Sequence, residues 1–342
     1  MSTELFEKYY LEARDDGADM TAAIEEKLRE YGTCVLGTGT YVVNGVNMPD
    51  HTSIIGLGRS TTLLLDESVE SGYAVKIASY CTVKNIGVVG SKDLITLPEE
   101  VGERHGLKFE GTIISDPTSP QPAHSIVEGC FIRSFTGGGL TCTHSGGSVR
   151  CAVTASNCHI FNCGAGINIP FRSEYHQFAN MLCTGNLYGC INNGGNNDFA
   201  NCGFNSNITG YLIDNTDSKS PNNSHGTISG CTFNHTNKNT GIGILIKNAS
   251  HGYVFTGCQI FYSQTVIENS NNIHLNACNY GRDEVIIVKG GVMNMFTNCL
   301  FKNQPQVTVE DNELFRFINC FTSKGEEVTV NKYFIHQQNI KL

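Results

Sequence analysis

Apolar positions recur along this chain in a short cassette: apolar, any residue, Asn or Gly, a central Cys, any residue, apolar. Phe199-Ala200-Asn201-Cys202-Gly203-Phe204 is the clearest copy. The central position is filled by Ile86, Cys130, Cys158, Met181, Cys202, Cys231, Cys258, Cys278, Cys299 and Cys320, with the last eight intervals running from 20 to 29 residues. Directly before the centre stand Asn85, Gly129, Asn157, Asn180, Asn201, Gly230, Gly257, Ala277, Asn298 and Asn319. Asn and Gly are the residues that tolerate a left-handed backbone, so this column predicts a sharp corner between two short strands. Ala277 is the one misfit.

A period in the twenties, with a strand on each side of such a corner and a third before the next copy, predicts a β-solenoid. Coils stack at strand spacing, about 4.8 Å, so each column becomes a ladder along the axis. The cysteines are then an inward-facing stack of small apolar side chains. A metal or redox array would need close Cys-Cys or Cys-His spacing, and no paired CxxC occurs in the chain. Before the coils, Met20, Ala23, Ile24, Leu28 and Tyr31 share one helical face, with Asp19 as the expected N-cap and Gly32 just past the end. An open solenoid exposes its core at each end, and this helix is expected to plug the first. The predicted organisation is a single domain over 1–342: an N-terminal segment and capping helix at 1–33, coils from 34 to 331 with an insertion at 91–124, and a tail at 332–342.

The opening also carries a resemblance. Thr21-Ala22-Ala23-Ile24, then Gly39-Thr40-Tyr41, Ile55-Gly56-Leu57-Gly58 and Thr62-Leu63-Leu64 resemble the start of the pectate-lyase-like right-handed parallel β-helix superfamily. That group includes polygalacturonases, inulin fructotransferases and phage tail-spike depolymerases. The resemblance implies an all-β, single-stranded right-handed parallel β-helix with an N-terminal capping α-helix. It further implies a homotrimer, as in the fructotransferases and tail-spikes, and an oligosaccharide or glycan as partner. It does not select an activity. The polygalacturonase pattern of Asn-x-Asp, Asp-Asp, Gly-His-Gly and Arg-x-Lys is not found in register, since Asn197-Asp198 lacks the intervening residue.

Charge narrows the partners. Lys+Arg 23 against Asp+Glu 32 gives a net charge of −9, which disfavours nucleic acid, and no basic run addresses a membrane. The surface positions are filled by Asn, Gly, Ser and Thr, which suits sugars. The odd total of 15 cysteines argues against a disulfide framework. The N-terminus has no basic segment followed by an apolar run, so a cytoplasmic protein, or a virion component, is expected.

Candidate chemistry lies in the turns of three consecutive coils. Along one column Asn193, Asp214, Lys247, Glu268, Lys289, Glu310 and Asn331 form a row whose later charges alternate, the signature of a surface ladder. The charges without partners lie at its head. Glu174, Asp198, Asp214 and Asp217 are the expected catalytic carboxylates, arranged for paired acid/base or nucleophilic work on a glycosidic bond. Arg172, Tyr175, His176, Tyr188, Asn193, Asn197 and His225 are expected to bind substrate, the tyrosines by stacking and the others by hydrogen bonds. No metal or cofactor is called for. The expected activity is that of a glycoside hydrolase, a fructotransferase-like enzyme or, less favoured, a lyase. The alternative is a non-catalytic trimeric tail-spike or fibre module that binds glycans.

Overall fold

The computed structural model describes residues 7–91, 97–111, 123–144, 151–171, 173–216, 225–235, 241–281, 285–312 and 314–328 of the 342. Among these the strands form two parallel sheets, one of 23 strands and one of eleven. The larger is folded along the cassette centre. In one coil the chain enters it through Asn197–Ala200, turns at Asn201-Cys202 and leaves through Gly203–Asn205. It then crosses to the eleven-stranded sheet as Thr209–Asp214 and returns to the larger sheet as Gly226–Ser229. Each coil pairs in register with the next, as in Phe178↔Phe199↔Ile228 and Cys183↔Phe204↔Phe233.

The cassette corner turns as its composition predicts. All ten residues of the Asn/Gly column have φ between 51° and 64°, Ala277 included at 51°. The next residue points inward. Its ten side chains, from Ile86 to Cys320, are at most 2% exposed. A cysteine suits this position because its thiol is small and still satisfies the corner. The Cys202 Sγ lies 3.4 Å from the carbonyl of Ala200 in its own coil and 3.6 Å from that of Phe178 in the coil before. Burial pushes the thiols of Cys34 and Cys163 up to about 12, out of the nucleophilic range. Aromatic ladders fill the rest of the tube, with Phe178 stacked on Phe199 at 4.7 Å and Phe204 on Phe233 at 5.5 Å.

The helix spans Thr21–Tyr31. Asp19 Oδ1 accepts from the Thr21 backbone N–H at 2.9 Å, and Gly32 closes the other end at φ 71°, donating to the Leu28 carbonyl at 2.9 Å. Met20, Ile24 and Leu28 join the same buried core as the first coils. Glu25 accepts from the Asn47 backbone N–H at 2.8 Å, which ties the helix to the edge of the smaller sheet.

One expected boundary changes. Within the proposed insertion at 91–124, Arg104–Gly111 is a regular strand of the eleven-stranded sheet, paired with Gly72–Ile77 on one side and Gly138–His144 on the other. Leu107 and Phe109 point inward and are buried, while Lys108 between them is half-buried. The excursion among described residues is confined to the segment before this strand.

Candidate functional site

The coil returns from the smaller sheet to the larger through a second corner, and the candidate residues gather around it. Two of them serve the fold. His176 is 1% exposed: Nδ1 accepts from the Val153 N–H at 3.0 Å, and Nε2 lies 2.7 Å from Ser173 Oγ, which itself donates to the Cys142 carbonyl at 2.7 Å. That chain places the ring proton on Nε2. Burial, aided by His124, lowers its pKa to about 3. Asn197 is fully buried and bridges coils, accepting from the His176 N–H at 2.9 Å and donating to Asn192 Oδ1 at 3.0 Å. Both were expected to bind substrate, and neither reaches the surface. A polar side chain inside a solenoid corner satisfies backbone groups that have no ladder partner.

The remaining candidates divide between the two flanks of the corner. On the side of the larger sheet, Glu174 Oε2 accepts from Asn196 Nδ2 at 3.2 Å, and Asn196 donates its backbone N–H to the His225 carbonyl at 2.8 Å. Gly195 leaves room between them. A Cβ there would lie 3.2 Å from His225 Nδ1 and 3.4 Å from Glu174 Oε1, so carboxylate and imidazole face one small gap. His225 Nδ1 is buried and has no hydrogen-bond partner among the described residues. Asp198 stands exposed in the outward row of the larger sheet, hydrogen-bonded to Thr227 Oγ1 of the next coil. Tyr175 is 46% exposed beside Glu174.

On the other flank, the outer face of the smaller sheet carries a groove of about 380 Å³. Tyr188, Asn193, Asp214 and Thr216 line it from the sheet, over a floor of Ile191 and Leu212. Glu99 and Glu100 line it from the segment before Arg104–Gly111. Asp214 is held in place: its N–H donates to Asn193 Oδ1 at 2.9 Å, and its Oδ1 accepts from the Thr216 N–H at 3.0 Å and from the Thr216 hydroxyl. One groove is therefore lined both by a preorganised carboxylate and by two carboxylates from a distant part of the chain. Asp217 and Arg172 lie outside the described residues.

Beyond Asp214 the row is structural. Lys247 pairs with Glu268 at 3.9 Å and Lys289 with Glu310 at 3.7 Å, in the predicted register. Asn331 lies outside the described residues. A second groove, of about 500 Å³, sits four coils further along. Phe261, Tyr262, Asn279, Leu300 and Lys302 line it, with no carboxylate among its walls. Among the described residues no group of three or more His, Cys, Asp or Glu side chains is placed to hold a metal ion. None of the described helices is long and apolar enough to cross a membrane.

No family model matches the chain, and no curated protein matches it by sequence. Solved structures do. Tailspike protein 2 of an Escherichia coli bacteriophage superposes with a TM-score of 0.54 at 14% identity, over 81% of this chain and 41% of its own. The catalytic unit of an α-1,3-glucanase from Streptomyces thermodiastaticus gives 0.54 at 13% identity, over 87% of this chain and 66% of its own. The A-module of an Azotobacter vinelandii mannuronan C-5 epimerase gives 0.50 at 12% identity, over 94% of each. The chain thus spans less than half of the tailspike and just under two thirds of the glucanase unit. At these identities the likeness is one of fold: the chain is a right-handed parallel β-helix.

Proposed function

We propose that this β-helix binds a neutral glycan in the groove on its smaller sheet and acts there on a glycosidic bond. The observation that carries this reading is the groove's lining. Asp214, Glu99 and Glu100 line the groove together, with Tyr188 and Asn193 among its other walls. Two carboxyl groups on one groove are the minimum for glycoside chemistry, one donating a proton to the leaving oxygen and the other serving as base or nucleophile. Asp214 is the best-positioned of them, because Thr216 holds its carboxylate and Asn193 anchors its backbone N–H. Asn193 and the Tyr188 ring offer a hydroxyl partner and an apolar face to a pyranose. Glu174, Asp198 and His225 line the adjoining corner and are assigned to holding the chain as it leaves the groove.

Three carboxylates in one groove repel a polyuronate, and the net charge of −9 adds to that repulsion. A neutral glucan fits better than mannuronan, and trimeric assembly would lengthen the surface available to it. The non-catalytic reading has its own support in the second groove, where Phe261, Tyr262 and Lys302 could hold a sugar without any acid. The test uses α-1,3-gluco-oligosaccharides and mannuronate oligomers with the wild type, Asp214→Asn and Glu99→Gln/Glu100→Gln. Turnover of the glucan that falls by 10²-fold or more in Asp214→Asn, with binding retained, is expected from loss of an acid or base. Unchanged turnover in both variants overturns the assignment. Binding without turnover by the wild type establishes the glycan-binding module instead.

A further inference from the structure

The return corner carries a second row of side chains that the groove does not use. Strand register aligns Ser53, Thr82, Ile126, Thr154, Gln177, Asp198 and Thr227 in one column. Two residues earlier in each coil stand His51, Tyr80, His124, Ala152, Tyr175, Asn196 and His225. At strand spacing this row runs on the order of 30 Å along the axis. It is exposed where it is widest, with Tyr80 at 43% and Tyr175 at 46%, and His51 also open to solvent. His51 and Tyr80 stack face to face, their ring centres 4.6 Å apart and 5° from parallel. The buried Ala152 divides the row into an outer platform of His51, Tyr80 and His124 and an inner one of Tyr175, Asn196 and His225.

The backbone makes these rings informative. His51, Tyr80 and Tyr175 have φ of 62°, 57° and 66°, in the left-handed region where bulky L-residues are strained. The cassette corner needs the same conformation and fills it with Asn or Gly in nine coils of ten. The return corner does likewise at Asn196, Gly252 and Asn272, so the turn itself does not require the rings of the other coils. Strain of this kind, held where the side chain is exposed, points to a role at the surface.

We infer that the outer platform is a distal subsite for an extended neutral glycan, which leaves the carboxylate groove, crosses the corner at Tyr175 and lies along the axis to Tyr80 and His51. This rests on the glycan reading above and extends it from a single cleavage point to a polymer-binding track. The chemistry suits a sugar chain: rings present apolar faces with polar tips, Asn196 and the imidazoles offer hydrogen bonds, and one coil of rise is close to one sugar residue. Tyr80 lies roughly 14 Å from Tyr175 at strand spacing, so only an oligosaccharide of several units reaches both.

Calorimetric binding of nigerose and of the α-1,3-linked gluco-hexasaccharide tests this. Wild-type protein is expected to bind the longer sugar more tightly. Tyr80→Gly should lower hexasaccharide affinity about tenfold while leaving nigerose unchanged, and Tyr80→Phe should keep the full length preference. Because glycine accepts φ of 57° without strain, the melting temperature of Tyr80→Gly should not fall, which separates lost binding from lost fold. A length preference that survives in Tyr80→Gly overturns the distal subsite and leaves the groove standing. If the wild type binds neither sugar nor any member of a wider oligosaccharide panel, the glycan reading falls and the track with it.

Discussion

Two corners of this solenoid make the same left-handed turn, one almost wholly with Asn and Gly, the other with bulky residues in several of its coils. At the cassette corner Asn85, Asn157, Asn180, Asn201, Asn298 and Asn319 alternate with glycines, and the conformation is one these residues adopt readily. At the return corner Asn196, Gly252 and Asn272 hold positive φ in three coils, but His51, Tyr80, Tyr175, Met293 and Leu314 hold it in others with large side chains, four of them 43–46% exposed. The first corner is what folding alone selects. The second costs about 1–2 kcal/mol per bulky residue relative to a relaxed backbone, and its rings turn outward. The candidate carboxylates and the groove lie beside the costly corner.

The largest expected effect concerns what is buried behind that corner. His176 is held neutral, its pKa lowered from 6.5 to about 3, first by desolvation and then by His124. A depressed imidazole contributes stability that is fully present above the unfolded value and is lost as pH falls, because the unfolded chain takes up the proton that the native state refuses. Unfolding free energy should fall by roughly 1.4 kcal/mol per pH unit from about pH 6.5 toward 3. Urea midpoints at pH 7 and pH 5 measure this for the wild type and His176→Gln. An equal pH slope in both would show that the imidazole protonates within the fold.

Exchanging residue types between the corners comes next. Asn201→Tyr puts a bulky residue at φ 54° and should destabilise by about 1–2 kcal/mol, while Tyr80→Gly should stabilise by up to about 1 kcal/mol after the entropy cost of glycine. Thermal melts of the two variants test the comparison itself. If both shift the same way, the corners do not differ in strain. The smallest effect belongs to the outer ladder. Lys289 and Glu310 are each about half-exposed, at 47% and 48%, so Lys289→Met should change the chemical-denaturation midpoint by no more than about 0.5 kcal/mol in stability. A larger loss would mean the ladder is structural in its own right.

The sequence reading reached as far as the repeat did. The corner column, the inward cysteines and the Lys-Glu ladder are legible because each recurs with the coil, and periodicity averages over local exceptions such as Ala277; the helix plug is legible from its own apolar face. Where the repeat breaks, the reading loosened. The alternation His105-Gly106-Leu107-Lys108-Phe109 follows a charged run, so Arg104–Gly111 was merged into an insertion although it is an ordinary strand. His176 and Asn197 sit in turns, where no period distinguishes a side chain aimed at solvent from one aimed at a backbone amide. The meeting of Glu99 and Glu100 with Asp214 joins residues more than a hundred apart through an irregular segment, and no column predicts it. The aromatic row is written in the sequence as the column two residues before each entering strand.

The most direct test of the central claim is a crystal structure with the α-1,3-linked gluco-hexasaccharide. The account predicts sugar between Glu99 and Asp214, within hydrogen-bond reach of Asn193, continuing past Tyr175 along the return corner. Density confined to the groove of Phe261, Tyr262 and Lys302, with the carboxylate groove empty, would contradict it.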